Sequence, residues 1–297
     1  MGGILKQGKR LLRRARRRRQ HAATLPHASV VFISPAKCGR TWVRAMMSYG
    51  YHQAFGTPAD ALVDGRAFHA IDARVPIFFF THLSKERSGL RRRLRPGALA
   101  QRTVIALIRD PRDAAVSRYH HDLHRFQSRQ SQSDVATDVA DPLFNYLCHA
   151  PHGLGFYIDS LNRLKPFVES HPDFHLFTYE SFKRDTAGEL ARLLVAVGTP
   201  LPGAAIKAAV DFAAFDKMQK HEADGFYQTK KLRPGDPAEP NSFKVRRGKV
   251  GGYKDEMASE DAAVLDRLVD ERLVQGFGYR SDEKDAALGD GELVGAG

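Results

Sequence analysis

Two apolar runs in this chain end in short charged loops that turn at once into helix-forming sequence. Val30-Val31-Phe32-Ile33 leads into Pro35-Ala36-Lys37-Cys38-Gly39-Arg40-Thr41-Trp42-Val43-Arg44, and Thr103-Val104-Ile105-Ala106-Leu107-Ile108 leads into Arg109-Asp110-Pro111. A short run with no polar face is a strand covered on both sides, which is the habit of parallel sheets, and parallel strands need crossover connections, usually helical. Apolar stretches near 29–34, 77–81, 103–108 and 174–179 alternate with helical sequence, which predicts an α/β architecture of three layers, a central parallel β-sheet flanked by helices. In such a sheet ligands bind at the strand carboxyl ends. The helix predicted to open near Thr41 presents unpaired N–H groups and a positive dipole end there, Lys37 adds a point charge, and Gly39 lets the backbone close around an anion. The expected ligand is a phosphorylated nucleotide.

A P-loop of the form G-x-x-x-x-G-K-[ST] would place the lysine last, with a hydroxyl beside it for Mg²⁺. Here Lys37 comes first and Cys38 follows it, which argues against Mg²⁺-dependent hydrolysis. The segment instead resembles the 5′-phosphosulfate loop of the cytosolic-type sulfotransferases, close to P-K-S-G-T-T-W. Lys37, Gly39, Thr41 and Trp42 match it; Ala36 is an insertion, Cys38 replaces the serine and Arg40 the first threonine.

In the second loop, Asp110 reads as a helix N-cap, Pro111 as the first helical residue and Asp113 as support for the first turn. The stretch Ile108–His121 is similar to the family's 3′-phosphate motif, which implies that Arg109 and Ser117, a little over two helical turns apart, hold the nucleotide's 3′-phosphate. Near the C-terminus, Phe243 to Lys254 is similar to the family's R-K-G-x-x-G-x-W-K segment; by that match Arg246, Arg247 and Gly248 close over the same phosphate, and Tyr253 stands where the family often has tryptophan. Taken alone, that Gly- and Lys-rich stretch also reads as a solvated loop. The resemblance spans residues 28 to about 280 and implies the P-loop NTPase-like sulfotransferase fold.

It also implies the chemistry. Sulfuryl transfer from 3′-phosphoadenosine 5′-phosphosulfate needs a base for the acceptor's proton and positive charge for the leaving phosphate, with no metal required. His82 is the expected base: it follows Thr81 at a strand end, as in the family's K-T-H-L-P, although Phe80 and Ser84 stand where that segment has lysine and proline. Lys37 is the expected leaving-group cation and Thr41 the 5′-phosphate ligand. Trp42 is expected against the adenine or in the core, and Tyr179, ending a strand, near the adenine. Arg40 is open between the phosphate and solvent. Cys38, beside Lys37 at a helix start, is open between a thiol of lowered pKa, whose alkylation blocks nucleotide binding, and a small residue standing in for serine. His120 and His121 are candidates to line the acceptor pocket but point to different helix faces, so no metal pair is expected. Phe78, Phe79, Phe80 and Phe126 suggest an aromatic entrance or ordinary core.

The net charge of +12 lies mostly in one place: residues 1–20 carry nine cations and no acid, which leaves +3 for the rest. The expected organisation is a basic arm over 1–25, disordered or in peripheral contact with anionic membrane, a sulfotransferase domain over 26–280 and a flexible tail over 281–297. Polar insertions at 126–141 and 222–247 are expected to border the acceptor and to form a lid. Two cysteines and no apolar leader imply a reducing cytoplasm, with a membrane-peripheral position left to the arm. The acceptor class stays open among small molecules, lipids and glycans. The alternatives are a Mg-dependent nucleotide phosphoryl transferase, or a nucleic-acid-binding protein acting through residues 1–20. Deleting residues 1–20 separates the last of these: an enzyme keeps its turnover, whereas a nucleic-acid binder loses affinity and its steep salt dependence in a titration.

Overall fold

The computed structural model describes residues 23–82, 94–124, 140–229, 232, 234, 236 and 239–283. The arm over 1–22, Leu83 and Ser84, Phe126 with most of the polar insertion, Gly235 and Pro237 of the second insertion, and 284–297 lie outside them. Four strands, β1 (Val30–Ile33), β2 (Phe78–Thr81), β3 (Thr103–Ile108) and β4 (Phe174–Thr178), form a parallel sheet in the order β2-β1-β3-β4. Val31 pairs with Phe79 on one side and with Val104 on the other, so the apolar runs lie in register.

Because strand side chains alternate, the sheet feeds two cores. Val31, Ile33, Phe79, Val104, Ala106 and Ile108 face one of them. It is filled by α2 (Pro111–His124), α3 (Pro142–His149), α4 (Leu154–Asn162), α5 (Lys165–Ser170) and the distant α10 (Ser259–Arg272). Val30, Phe32, Phe78, Phe80, Ile105 and Leu107 face the other. There they meet α1 (Arg40–Phe55), α6 (Tyr179–Arg184), α7 (Thr186–Ala196), α8 (Gly203–Phe212) and α9 (Phe215–Ala223). This is the expected three-layer α/β arrangement. Phe78, Phe79 and Phe80 build core and line no entrance.

The order of strand addition reverses between β1 and β3, since β2 is added on one side of β1 and β3 on the other while all strands stay parallel. That switch point leaves a crevice at the strand carboxyl ends, flanked by the loops bearing Lys37 and Arg109. One boundary differs from expectation. Tyr179 does not end β4 but begins α6, because Thr178 caps it reciprocally with Ser181. Contacts also run past residue 280: Ser281 N donates to Asp270 at 2.8 Å and Gly278 N to Glu283 at 3.0 Å.

Beside the crevice, Arg112 is among the largest fully buried side chains. It pairs with Asp110 at 2.8 Å and with Asp266 of α10, and donates to the Tyr279 carbonyl at 3.0 Å. The end of β3 is thereby joined to the C-terminal segment. Removing one member of a buried ion network leaves the others uncompensated, so Arg112→Ala is expected to cost about 3–5 kcal/mol of unfolding free energy, read from the urea midpoint.

Candidate functional site

The loop after β1 is bent by two left-handed residues. Gly39 has φ +83° and caps α1, and Lys37, at φ +70°, is the one non-glycine residue with positive φ among those described. A lysine in this region carries backbone strain, of a kind stored where a site needs a defined loop shape. A Cβ on Gly39 would stand 2.7 Å from Cδ2 of Tyr179, so this position admits only glycine while the tyrosine ring covers the loop. No side chain caps the start of α1, which leaves its first N–H groups to the crevice.

The loop after β3 contributes Arg109, whose guanidinium lies 4.4 Å over the Tyr179 ring. Its Nη2 donates to Asp113 at 3.3 Å and to the Lys249 carbonyl at 2.8 Å. Its Nε is buried with no hydrogen-bond partner among the described residues. Asp113 does more than support the first turn of α2: it also accepts the N–H of Gly251 at 2.8 Å and of Tyr253 at 3.0 Å. The 246–249 segment is thus fastened to the loop after β3 and is no free solvated loop. From its other side, α9 holds it through Glu222, which accepts Lys244 N at 2.7 Å, and Gln219, which donates to Val245 O at 2.9 Å.

Acids aim the cations of this segment. Glu256 accepts from Arg246 at 2.6 Å, from Arg247 at 3.0 Å, and pairs with His120 at 2.5 Å. Asp255 takes Arg247 at 2.9 Å and Lys249 at 2.5 Å. Burial would raise the Glu256 carboxyl, but hydrogen bonds from His120 and Arg246 outweigh it and bring the pKa down to about 2.

One cavity of about 600 Å³ gathers Lys37, Gly39, Arg40, Thr41, Trp42, His82, Arg109, Ser117, Tyr179, Arg246, Arg247 and Gly248. Every expected site residue lines it except Cys38. That thiol is buried in the core on the α2 side of the sheet, and burial pushes its pKa up to about 12. Of the two readings left open, the reactive thiol gives way to the small residue standing in for serine, and the Cys38 side chain does not line the cavity: desolvation by the core outweighs the helix start and the nearby arginines. Trp42 packs edge-on against Tyr179 and donates from Nε1 to Ala213 O at 2.8 Å, so it is both core and cavity wall.

Arg40 points neither to solvent nor to an acid. Its Nη2 lies 2.7 Å from Nε2 of His82 and its Nη1 donates to Thr81 O at 3.1 Å. Of the paired histidines, His121 lines the cavity, and burial, with Lys37 adding to it against Asp122, lowers its pKa to about 4. His120 serves Glu256 instead. Arg44, one turn after Arg40, is a wall residue that sequence reasoning passed over. It donates to Val63 O at 2.9 Å and lies 4.4 Å over Phe80. Its signal was the i, i+4 spacing from Arg40. Among the described residues no group of His, Cys, Asp or Glu side chains is placed to hold a metal ion.

The family model described as "Sulfotransferase domain" matches residues 27–277. Cytosolic sulfotransferase 17 of Arabidopsis thaliana is 25% identical over 186 residues, 61% of this chain and 51% of the relative. Sulfotransferase 2A1 of Macaca fascicularis is 24% identical over 170 residues, 57% of this chain and 56% of the relative. The chain thus spans about half the length of these relatives. Among solved structures, mouse sulfotransferase SULT7A1 complexed with PAP superposes with a TM-score of 0.59 at 15% identity, over 90% of this chain and 94% of that one. Retinol dehydratase in complex with androsterone and inactive cofactor PAP gives 0.53 at 17% identity, over 84% and 82%. At these identities the likeness is one of fold.

The Glu256 anchor carries a pH signature. A carboxyl depressed in the folded state contributes stability that is complete above its unfolded pKa of ~4.3 and is lost as pH falls through about 2. Urea unfolding at a series of pH values is expected to show Glu256→Gln losing up to roughly 3 kcal/mol less than wild type across that window.

Proposed function

The chain belongs to the sulfotransferase family, and from that membership we propose that it moves a sulfuryl group from 3′-phosphoadenosine 5′-phosphosulfate to a hydroxyl or amine of an acceptor, releasing adenosine 3′,5′-bisphosphate. The observation that carries this reading is the meeting of Lys37, Arg109, Ser117 and the 246–248 segment on one cavity. The residues present fit the nucleotide: Arg109 has a buried Nε in want of an acceptor, the cavity is rich in guanidinium donors, and the start of α1 is uncapped.

In this reading Lys37 and Thr41 hold the phosphosulfate, with Gly39 and Arg40 in the same loop. Arg109, Ser117, Arg246, Arg247 and Gly248 hold the 3′-phosphate, and Trp42 and Tyr179 flank the adenine. The bound donor supplies an electrophilic sulfur and a phosphate leaving group. His82 takes the acceptor's proton at Nε2, and Lys37 sets its charge against the oxygen that departs. No metal is required for this chemistry. The catalytic domain in this proposal is residues 26–280, flanked by the arm and the tail.

The acceptor is proposed to be a small molecule, the class to which the retinol dehydratase complex with androsterone belongs; lipid and glycan acceptors stay within the proposal's range. No helix among the described residues is long and apolar enough to cross a membrane. A cytoplasmic protein whose arm touches anionic membrane is the proposed location.

Calorimetric titration with adenosine 3′,5′-bisphosphate, with 5′-AMP and with ATP plus Mg²⁺ as comparators, tests the reading. Binding is expected to need the 3′-phosphate and to weaken about 10- to 100-fold in Arg109→Ala, the loss of charge-assisted hydrogen bonds worth about 1.5–3 kcal/mol. Binding of ATP with Mg²⁺ alone would replace it with the phosphoryl-transfer reading.

A further inference from the structure

His82 meets the cavity with both ring nitrogens engaged. Nδ1 lies 2.7 Å from the carbonyl oxygen of Ser34, which can only accept, so Nδ1 carries the proton and Nε2 the lone pair. The Arg40 guanidinium donates into that lone pair from 2.7 Å and is steadied by Thr81 O at 3.1 Å. An imidazole nitrogen has one lone pair, so Nε2 cannot take an acceptor's proton while Arg40 occupies it.

Resting on the assignment of His82 as base, we propose that Arg40 is a positioning residue: it fixes the His82 tautomer and holds Nε2 in reserve until an anion bound in the cavity draws the guanidinium away. The sequence departs from the family pattern at the two places this requires. Arg40 replaces a threonine of the loop, and Phe80 replaces the lysine two residues before the histidine. A cation missing from the strand is thus supplied in space from α1. Among the described residues Arg40 has no carboxylate within ion-pair distance; its hydrogen-bond partners are a carbonyl and a neutral ring. Burial and then the like charge of Arg44 bring its pKa down to about 10. A guanidinium so placed gains more from an anionic oxygen than from a neutral nitrogen.

Most of the surrounding charges act in the same direction. Arg40 and Arg44 come from α1, Lys37 from the loop and Arg118 from α2, while His121 of α2, with its pKa lowered to about 4, is neutral at pH 7. The acids on its walls are turned to other cations: Asp113 to Arg109, Asp211 to Lys207, and Glu256 to Arg246 and Arg247; Asp64, paired with Arg44 at 3.3 Å, works the other way and supports the Arg40 cation. Protonation of His82 is therefore opposed until a bound anion offsets the cations.

The test is ¹⁵N NMR of imidazole-labelled full-length protein, with His82 assigned by its loss in His82→Asn. It compares wild type with Arg40→Thr, and with Arg40→Lys as the variant that keeps the test open should the threonine form fail to fold. His82 in wild type is expected to stay the neutral Nδ1–H tautomer, while in Arg40→Thr its pKa rises toward ~6.5 and the acid limb of kcat/KM moves to higher pH. Arg40→Lys, a point charge without the fork, is expected to fall between them. Adenosine 3′,5′-bisphosphate together with inorganic sulfate should move the wild-type Nε2 resonance toward that of the variant. Identical titration of His82 in wild type and variants, or a wild-type Nε2 unmoved by those anions, would overturn the proposal. If the NMR responses are found without sulfuryl transfer to any acceptor, the functional reading fails and the Arg40 clamp stands. If transfer occurs with His82 indifferent to Arg40, the clamp fails and the function stands.

Discussion

The site depends on the carboxylate of Asp113. In the first turn of α2 it pairs with Arg109 and accepts the backbone N–H groups of Gly251 and Tyr253. Two stretches of chain about 140 residues apart therefore become one wall of one cavity. A nearly buried carboxylate is costly unless its lone pairs are filled, and here a guanidinium and two amides fill them. That balance fixes the 251–253 turn, and with it the position of Arg246, Arg247 and Gly248.

The same logic recurs around the crevice. Arg112 joins the end of β3 to α10 through Asp110 and Asp266, and Glu180 accepts the N–H of Asp110 at 2.9 Å and the hydroxyl of Tyr279 at 2.9 Å. Glu256 and Asp255 hold Arg246, Arg247 and Lys249 close together despite their mutual repulsion. Acids held by several cations at once orient the guanidiniums before any ligand arrives, so the ordering is already present in the folded protein. Arg40 stands outside this scheme. Among the described residues its hydrogen-bond partners are a backbone carbonyl and an imidazole rather than a carboxylate.

Local chemistry was legible where it is carried by neighbours in sequence. The strands showed because a sheet covered on both faces needs unbroken apolar runs, and the helix starts showed because Gly39 and Asp110-Pro111 have few other uses after a strand. Tyr179 was placed one element early because a strand and a capped helix abut with no loop between them, and the Thr178–Ser181 capping box is a subtle signal beside the apolar pattern. Cys38 was open to two readings because nearness to a helix start is local, whereas burial is not.

The sequence alone determined a three-layer α/β protein with a tight lysine-bearing loop after β1 and a capped helix after β3, since strand burial, turn strain and helix capping are set within a few residues. Only the tertiary structure decided which charges meet. The pairing of Asp113 with the 251–253 turn, of Glu256 with Arg246 and of Arg40 with His82 depends on distances through space, and the desolvation that lifts Cys38 depends on how the whole core closes. Electrostatic interaction falls with separation and with the dielectric around it, and neither is written in the spacing of residues along the chain.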